Sequence, residues 1–231
     1  MRLNRTQLKF IAVIAMLIDH AGMLFIPITT PLGLTCRIIG RLTAPIMFFF
    51  LSEGYFYTSS KRKYGERLLL FALISQLPYS LARYGTFFAL DFNVIFTFFI
   101  SFLILSALET VKNPLLKWGL IVSLFFVSSF CDWGVVAPLW VIFFHVYRGE
   151  KNSQALAFSL TVLAMAVLSA ISCIERGYNW YGELWQLGLL MFLPLFYLYN
   201  GEKGANGTFG KWFFYIVYPL HLLVFGIIKH I

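Results

Sequence analysis

Asp19 and His20 stand side by side within an apolar run that opens the chain, where a carboxylate and an imidazole are costly unless they are paired or hydrated. Neighbouring helical residues point about 100° apart, so Asp19 cannot simply orient the His20 ring. Asp19 is expected to face an adjacent helix. Arg37 and Arg41 lie one helical turn apart at the start of the next apolar run, and the short connection predicts an Asp19–Arg37 or Asp19–Arg41 pair. The pair could staple two helices or shape a polar pocket. His20 has the side chain that most often serves as a general base near neutral pH. A second imidazole, His221, follows Pro219 in the last apolar run, where a proline releases backbone groups for other partners. Glu53 sits near the inner end of the second run, with Lys9 or the Lys61–Arg67 cluster as candidate partners. Gln76, Asn93 and Gln186 are suited to hydrogen bonds between helices.

The elements that carry these groups are set by composition. The chain is 60% hydrophobic, 19% aromatic and 12% charged. A water-soluble domain carries about twice that charged fraction, so the solvent for this surface is a bilayer. With roughly 20 apolar residues per span, nine candidates emerge: 8–27, 38–58, 66–84, 92–110, 115–131, 134–147, 154–174, 184–200 and 212–229. The fifth and sixth are short and can also be read as one hairpin around Asp132-Trp133-Gly134. The expected fold is all-α: a polytopic transmembrane bundle of about nine helices, one domain over 1–231, with no soluble domain appended.

The formal charge of +8 does not indicate nucleic-acid binding, because the basic residues fall in short clusters between apolar runs. Placing the N-terminus in the cytoplasm puts thirteen of the eighteen Lys and Arg inside, which sets N-inside, C-outside. The first run lacks a small-x-small cleavage site and is expected to be retained as a helix. Lys9, Arg62, Lys63 and Arg67 act first as topology signals, and could also hold the phosphates of an acidic cofactor. Cys36, Cys131 and Cys173 are far apart and have no His at metal-ligand spacing, so no metal is expected; pairing among them stays open. The glycine-rich stretch 201–210 lacks the lysine-serine ending of a phosphate-cradling loop. The sequon Asn206-Gly-Thr208 falls on the cytoplasmic side. Trp133, Trp140, Trp180, Trp185 and Trp212 are expected mainly as interface anchors.

The blocks Leu8–Gly22, Arg37–Ile46 and Ser52–Tyr55 resemble the TraX family. The likeness continues in order through Arg67–Ser75, Asn93–Thr97, Asn200–Gly204 and Tyr215–Leu223, and so covers nearly the whole chain. It implies an N-acetyltransferase of the bacterial inner membrane whose acceptor is the N-terminus of a pilin, with the lipid bilayer and a pilin-like peptide as partners. A weaker likeness to the acyltransferase-3 family lies in the ten residues separating Lys9 from His20, where that family has Arg and His, and in Phe49-Phe50-Leu51-Ser52, where Glu53 intervenes before Gly54.

These likenesses give the spacing a mechanical meaning. Eleven steps of 1.5 Å place Lys9 and His20 roughly 16 Å apart along one helix. The pantetheine arm of coenzyme A extends about 15–20 Å by chain dimensions. Acetyl-CoA held in the cytoplasm by Lys9, Arg62, Lys63 and Arg67 could thus present its thioester to His20. Asp19 would support the catalytic pocket, while Arg37, Arg41, Glu53, Asn93 and His221 would line it for substrate. The competing expectations are a small proton- or ion-coupled transporter using Asp19, His20, Arg37 and Glu53, and a non-enzymatic pilin assembly factor. Against the transporter, no inverted repeat is visible.

Overall fold

A computed structural model describes residues 2–204 and 208–230. Among these, ten α-helices and one 3₁₀ helix account for the regular structure: α1 (Arg5–Phe25), α2 (Pro31–Gly40), α3 (Thr43–Tyr57), α4 (Lys61–Tyr84), α5 (Val94–Thr110), α6 (Pro114–Ser128), α7 (Val136–Val146), α8 (Lys151–Glu175), the 3₁₀ helix (Trp180–Met191), α9 (Phe192–Leu198) and α10 (Thr208–His230). Extended pairing among the described residues is limited to two isolated bridges, Leu3 with Tyr199 and Phe92 with Cys131. The all-α membrane architecture is therefore present.

The helices differ from nine uniform spans in instructive ways. Among the described residues, four stretches are long and apolar enough to cross a bilayer: Arg5–Phe25, Pro31–Tyr57, Lys151–Glu175 and Trp212–His230. Three further helices, α5, α6 and α7, are apolar but have only 17, 15 and 11 residues, short of the roughly 20 that a straight crossing takes. The run 66–84 extends backwards into the basic residues from Lys61, which makes α4 a 24-residue helix of mixed character. Between 115 and 147 two separate helices form, divided at Asp132-Trp133-Gly134, where Trp133 takes a positive φ of 68°. The run 38–58 divides at Arg41 because Pro45 has no N–H to continue the ladder; it sits in the first turn of α3, where that donor is not needed. The run 184–200 divides between a 3₁₀ helix that starts earlier, Trp180–Met191, and the α-helix Phe192–Leu198; at about 2 Å per residue the twelve 3₁₀ residues cover about 24 Å.

The chain resolves into two compact units, Met1–Met47 with Tyr147–Gly207, and Phe48–Val146 with Thr208–Ile231. In the first, α1 begins at Asn4. The Asn4 side chain accepts from the Gln7 N–H at 3.0 Å and the Gln7 side chain accepts from the Asn4 N–H at 2.9 Å, a reciprocal cap that satisfies two otherwise orphaned donors. Thr30 caps α2, with Pro31 in its first turn. The block Asn200–Gly204 clasps the N-terminal end of α1. The Leu3 N–H donates to Leu198 O at 2.8 Å, the Arg5 N–H to Glu202 O at 2.9 Å, and Thr6 Oγ1 to Lys203 O at 2.9 Å. Residues 205–207 of the glycine-rich stretch and Asn206 of the sequon lie outside the described residues. Helix α8 is apolar nearly all round, with Leu156, Leu160, Leu163, Val167, Leu168, Ile171 and Ile174 exposed. Such a continuous apolar face is stable against lipid, not water.

In the second unit, α4 packs on α10 and α5, and α5 packs on α6 and α7. Trp140, Phe48 and Phe144 are fully buried there, with Phe48 and Trp140 centroids 6.5 Å apart. Trp140 is thus a core residue and not an interface anchor, because α7 turns it inward among aromatic neighbours. All three cysteines are free.

Candidate functional site

In the first unit, Asp19 is buried, 8% exposed, near the C-terminal end of α1. Both expected arginines reach it. Arg37 Nη1 donates to Asp19 Oδ1 at 2.5 Å, and Arg41 Nη2 donates to Oδ2 at 3.4 Å. The approach of α2 depends on two glycines. A Cβ on Gly22 would overlap Cys36 Cβ, and a Cβ on Gly40 would overlap the Asp19 carboxyl group. Bare glycine at both positions lets α2 lie close enough for its two arginines to flank one carboxylate. The 3₁₀ helix adds Trp185, whose ring lies 5.0 Å from Arg37 Cζ and 4.7 Å from Arg41 Cζ. Two guanidiniums, one carboxylate and an aromatic face make a buried patch with one net positive charge, the polarity that stabilises an oxyanion or binds an acidic group. Trp185 is therefore not the interface anchor its composition suggests: its position on the 3₁₀ helix turns it onto the arginines.

His20 is half-buried on the same helix, next to Asp19. Lys9, also half-buried, lies eleven residues earlier with no proline between them. The helix from Lys9 to His20 is continuous, so the roughly 16 Å axial separation applies.

The second unit holds a polar cluster that the sequence did not announce. Tyr55 Oη donates to Glu109 Oε2 at 3.1 Å, Lys61 Nζ also donates to Glu109 Oε2, and His145 Nε2 lies 3.5 Å from Glu109 Oε1. The Lys61 ammonium sits 4.3 Å from the Tyr55 ring centroid, and the Tyr55 and His145 rings meet edge to face at 5.8 Å. Burial pulls the Lys61 pKa down, but hydrogen bonds to Glu109 and Tyr55 outweigh it and hold the ammonium above the ordinary lysine value.

The basic cluster on α4 is not uniform. Arg62 Nε donates to Glu66 Oε1 at 2.8 Å on an exposed face, and that pairing raises the Arg62 pKa. Lys63 is exposed, and Arg67 is half-buried with its Cζ 5.7 Å from the Tyr64 ring. Arg67 Nε is a buried donor without a hydrogen-bond acceptor.

Glu53 is buried in α3, at 9% exposure. Asn93 is fully buried and caps α5: its Oδ1 accepts from the Ile95 N–H at 3.0 Å, and its Nδ2 donates to Ala72 O at 2.8 Å and Gln76 Oε1 at 2.9 Å. Its side chain is spent on joining α5 to α4. His221 is buried in α10, and its Nδ1 donates to Val217 O at 2.7 Å, which fixes the tautomer by a bond within its own helix. Gln186 also bonds locally, donating to Glu183 Oε2 at 2.9 Å, because residues three apart eclipse on a 3₁₀ helix. Among the described residues no group of three or more His, Cys, Asp or Glu side chains is arranged to hold a metal.

Apolar helices of membrane-crossing length and a buried carboxylate held by two arginines define a polytopic membrane protein with a polar site inside its helices. Residues 4–229 match the family described as TraX protein, and the chain belongs to that family. It is 32% identical over 224 residues to the probable fimbrial assembly protein FimC, serogroup H1, of Dichelobacter nodosus, covering 94% of this chain and 91% of that protein. It is also 32% identical over 170 residues to the uncharacterized protein RP591 of Rickettsia prowazekii (strain Madrid E), covering 73% of this chain and 56% of that protein. No solved structure matches the chain.

Proposed function

We propose that this chain is a single-domain acetyltransferase of the bacterial inner membrane. It moves an acetyl group from cytoplasmic acetyl-CoA to an acceptor amine, the N-terminus of a pilin-like peptide, on the outer side. The observation that carries this reading is the Asp19 carboxylate clamped between Arg37 and Arg41, one residue from His20. Family membership and a relative named for fimbrial assembly support the choice of acceptor. The orientation is N-inside, which puts the His20 end of α1 outward.

The reaction is a direct acyl transfer. The neutral amine attacks the thioester carbonyl carbon while His20 accepts a proton from the amine nitrogen. The carbonyl oxygen becomes an oxyanion, which an arginine of the Asp19 clamp stabilises. Arg41 suits this role better than Arg37, because its contact to Asp19 is longer, 3.4 Å against 2.5 Å. Collapse breaks the carbon–sulfur bond. The leaving thiolate takes the proton from the imidazolium, giving an amide and free coenzyme A.

For the donor, Lys63 and Arg67 fit a phosphate-bearing group best, because Arg67 Nε is a buried donor that awaits an acceptor. Arg62 contributes less, since Glu66 already neutralises it. Lys9 stands on α1 eleven residues before His20. Asp19 holds the arginines in place.

His20→Ala in purified, folded protein is expected to lower acetyl transfer by about 10²–10⁴-fold, the usual loss of a general base. Near-normal turnover would remove His20 from the mechanism. The name of the Dichelobacter relative also suits a factor that binds pilin-like helices without chemistry. Release of free coenzyme A from acetyl-CoA in the presence of a pilin N-terminal peptide separates the two readings.

A further inference from the structure

Residues three apart eclipse on a 3₁₀ helix, so Trp185 and Gly188 share one face of the Trp180–Met191 helix, and that face packs on α2. Gly188 permits the close approach: a Cβ there would lie 2.8 Å from Ile38 O. One 3₁₀ turn earlier, the Trp185 ring meets Arg37 and Arg41, which flank Ile38 in the chain.

Trp185 Nε1–H is a buried donor with no hydrogen-bond acceptor. It is the only polar atom of the indole, and buried donors are normally paired. The neighbouring side chains explain why it is not. Guanidiniums donate and cannot accept. The carboxylate among these groups, Asp19, accepts from Arg37 through one oxygen and from Arg41 through the other. The cluster is therefore short of an acceptor and carries one surplus positive charge. These are separate imbalances, one of hydrogen bonds and one of charge. A neutral carbonyl would correct only the first; an oxygen bearing negative charge corrects both. With Arg41 Cζ only 4.7 Å from the ring centre, one oxygen at the ordinary donor–acceptor distance of about 2.9 Å can accept from both residues.

We infer that Trp185 Nε1–H and the Arg41 guanidinium form a two-donor site for an anionic oxygen. In the reaction that oxygen is the thioester carbonyl oxygen; this half of the inference rests on the proposed acetyl transfer, whereas the anion site does not. As the amine nitrogen bonds to the carbonyl carbon, the π electron pair moves onto the oxygen, and the two donors hold it. When the carbon–sulfur bond breaks, the pair returns to the carbonyl. Trp185 keeps its proton throughout. It is thus a catalytic residue beside His20, and its ring also keeps the two arginines in place.

The test uses the full chain in nanodiscs of zwitterionic lipid, with the indole N–H signals followed by NMR in isotope-labelled protein. Trp185→Phe identifies the Trp185 signal by its loss. Sodium butyrate is expected to move that signal downfield at constant ionic strength, and the neutral butyramide to leave it in place. Trp185→Phe keeps an aromatic ring against the arginines and removes the donor. It should lower kcat by about 10²-fold, with the KM for acetyl-CoA and the unfolding midpoint unchanged, because the lost N–H has no partner in the resting protein. If that variant does not fold, benzothienylalanine at position 185 keeps the fused-ring shape and lacks only the N–H. No response to butyrate, an equal response to butyramide, normal kcat without the N–H, or a kcat loss that follows a loss of stability would each overturn the donor role. A butyrate response in a wild-type protein that transfers no acetyl group would sink the transferase reading and leave the anion site standing. Acetyl transfer that persists at full rate without the N–H, with no butyrate response, would do the reverse.

Discussion

Gly40 of α2 lies so close to Asp19 of α1 that one methyl group on residue 40 would overlap the carboxyl group. The clamp therefore depends on a residue with no side chain. Gly40→Ala must push α2 outward or turn Asp19 off its rotamer, a form of overpacking that costs about 1–3 kcal/mol. Thermal unfolding in detergent should fall accordingly, and acetyl transfer should fall with it. Gly119→Ala is the control: nothing lies within 4 Å of a Cβ there, and alanine in a helix interior gains about 1 kcal/mol over glycine. A Gly40→Ala protein as stable as wild type would show that the helix contact is loose.

The Lys61–Glu109 pair predicts a pH window. The Lys61 pKa is raised in the folded protein. Its stabilisation is therefore complete below the unfolded lysine value of about 10.4 and disappears as pH rises through the higher folded value. With side chains 43% and 35% exposed, solvent screening limits the contribution to about 1 kcal/mol or less. Lys61→Met should unfold at a lower temperature than wild type at pH 7–9, and the two curves should converge once pH has risen past the raised folded value. A gap that stays unchanged as pH rises through the alkaline range would mean that Lys61 acts through packing.

The parts of this protein that were legible in the sequence are those where cause and effect lie close along the chain. Asp19 with Arg37 and Arg41 could be read because a short connection and one-turn spacing bring the three together. The apolar runs could be read because bilayer thickness sets their length. Glu109 and His145 could not: each is a lone polar residue near a helix end, and they meet Tyr55 and Lys61 only through the packing of distant segments. Trp185 escaped for a related reason. Nothing in Trp180–Met191 signals a 3₁₀ winding, and a tryptophan turned by 120° per residue rather than 100° lands on a different face. The same winding turned Gln186 onto Glu183 of its own helix.

Within the basic cluster, local pairing predicts unequal roles. Lys63→Ala and Arg67→Ala should each raise the KM for acetyl-CoA by about three- to tenfold, and Arg67→Ala more, because its buried Nε has no protein acceptor to lose. Arg62→Ala should change KM less than twofold, since Glu66 already holds that charge. Steady-state kinetics with acetyl-CoA varied at fixed peptide would read this order. Equal effects at all three positions would point to a diffuse field in place of a phosphate site.

The two arginines of the clamp should separate by kind of effect. Arg37 makes the shorter contact to Asp19, 2.5 Å, and both guanidiniums stack on Trp185. Arg37→Lys loses the planar fork that spans the carboxylate and the indole. It leaves Asp19 poorly compensated in a site where the partner side chains are 15% and 11% exposed, and breaking such a pair outright costs about 3–5 kcal/mol. Its main effect is therefore on stability. Arg41, at 3.4 Å from Asp19, is placed to turn toward an oxyanion, so Arg41→Lys should keep more of the stability and lose about 10²-fold or more in kcat with little change in KM, as removal of a transition-state donor does. Comparing unfolding midpoints and kcat for the two variants decides the assignment. If Arg37→Lys loses kcat while Arg41→Lys loses stability, the oxyanion donor is Arg37. If neither variant changes kcat, the clamp only joins α1 to α2.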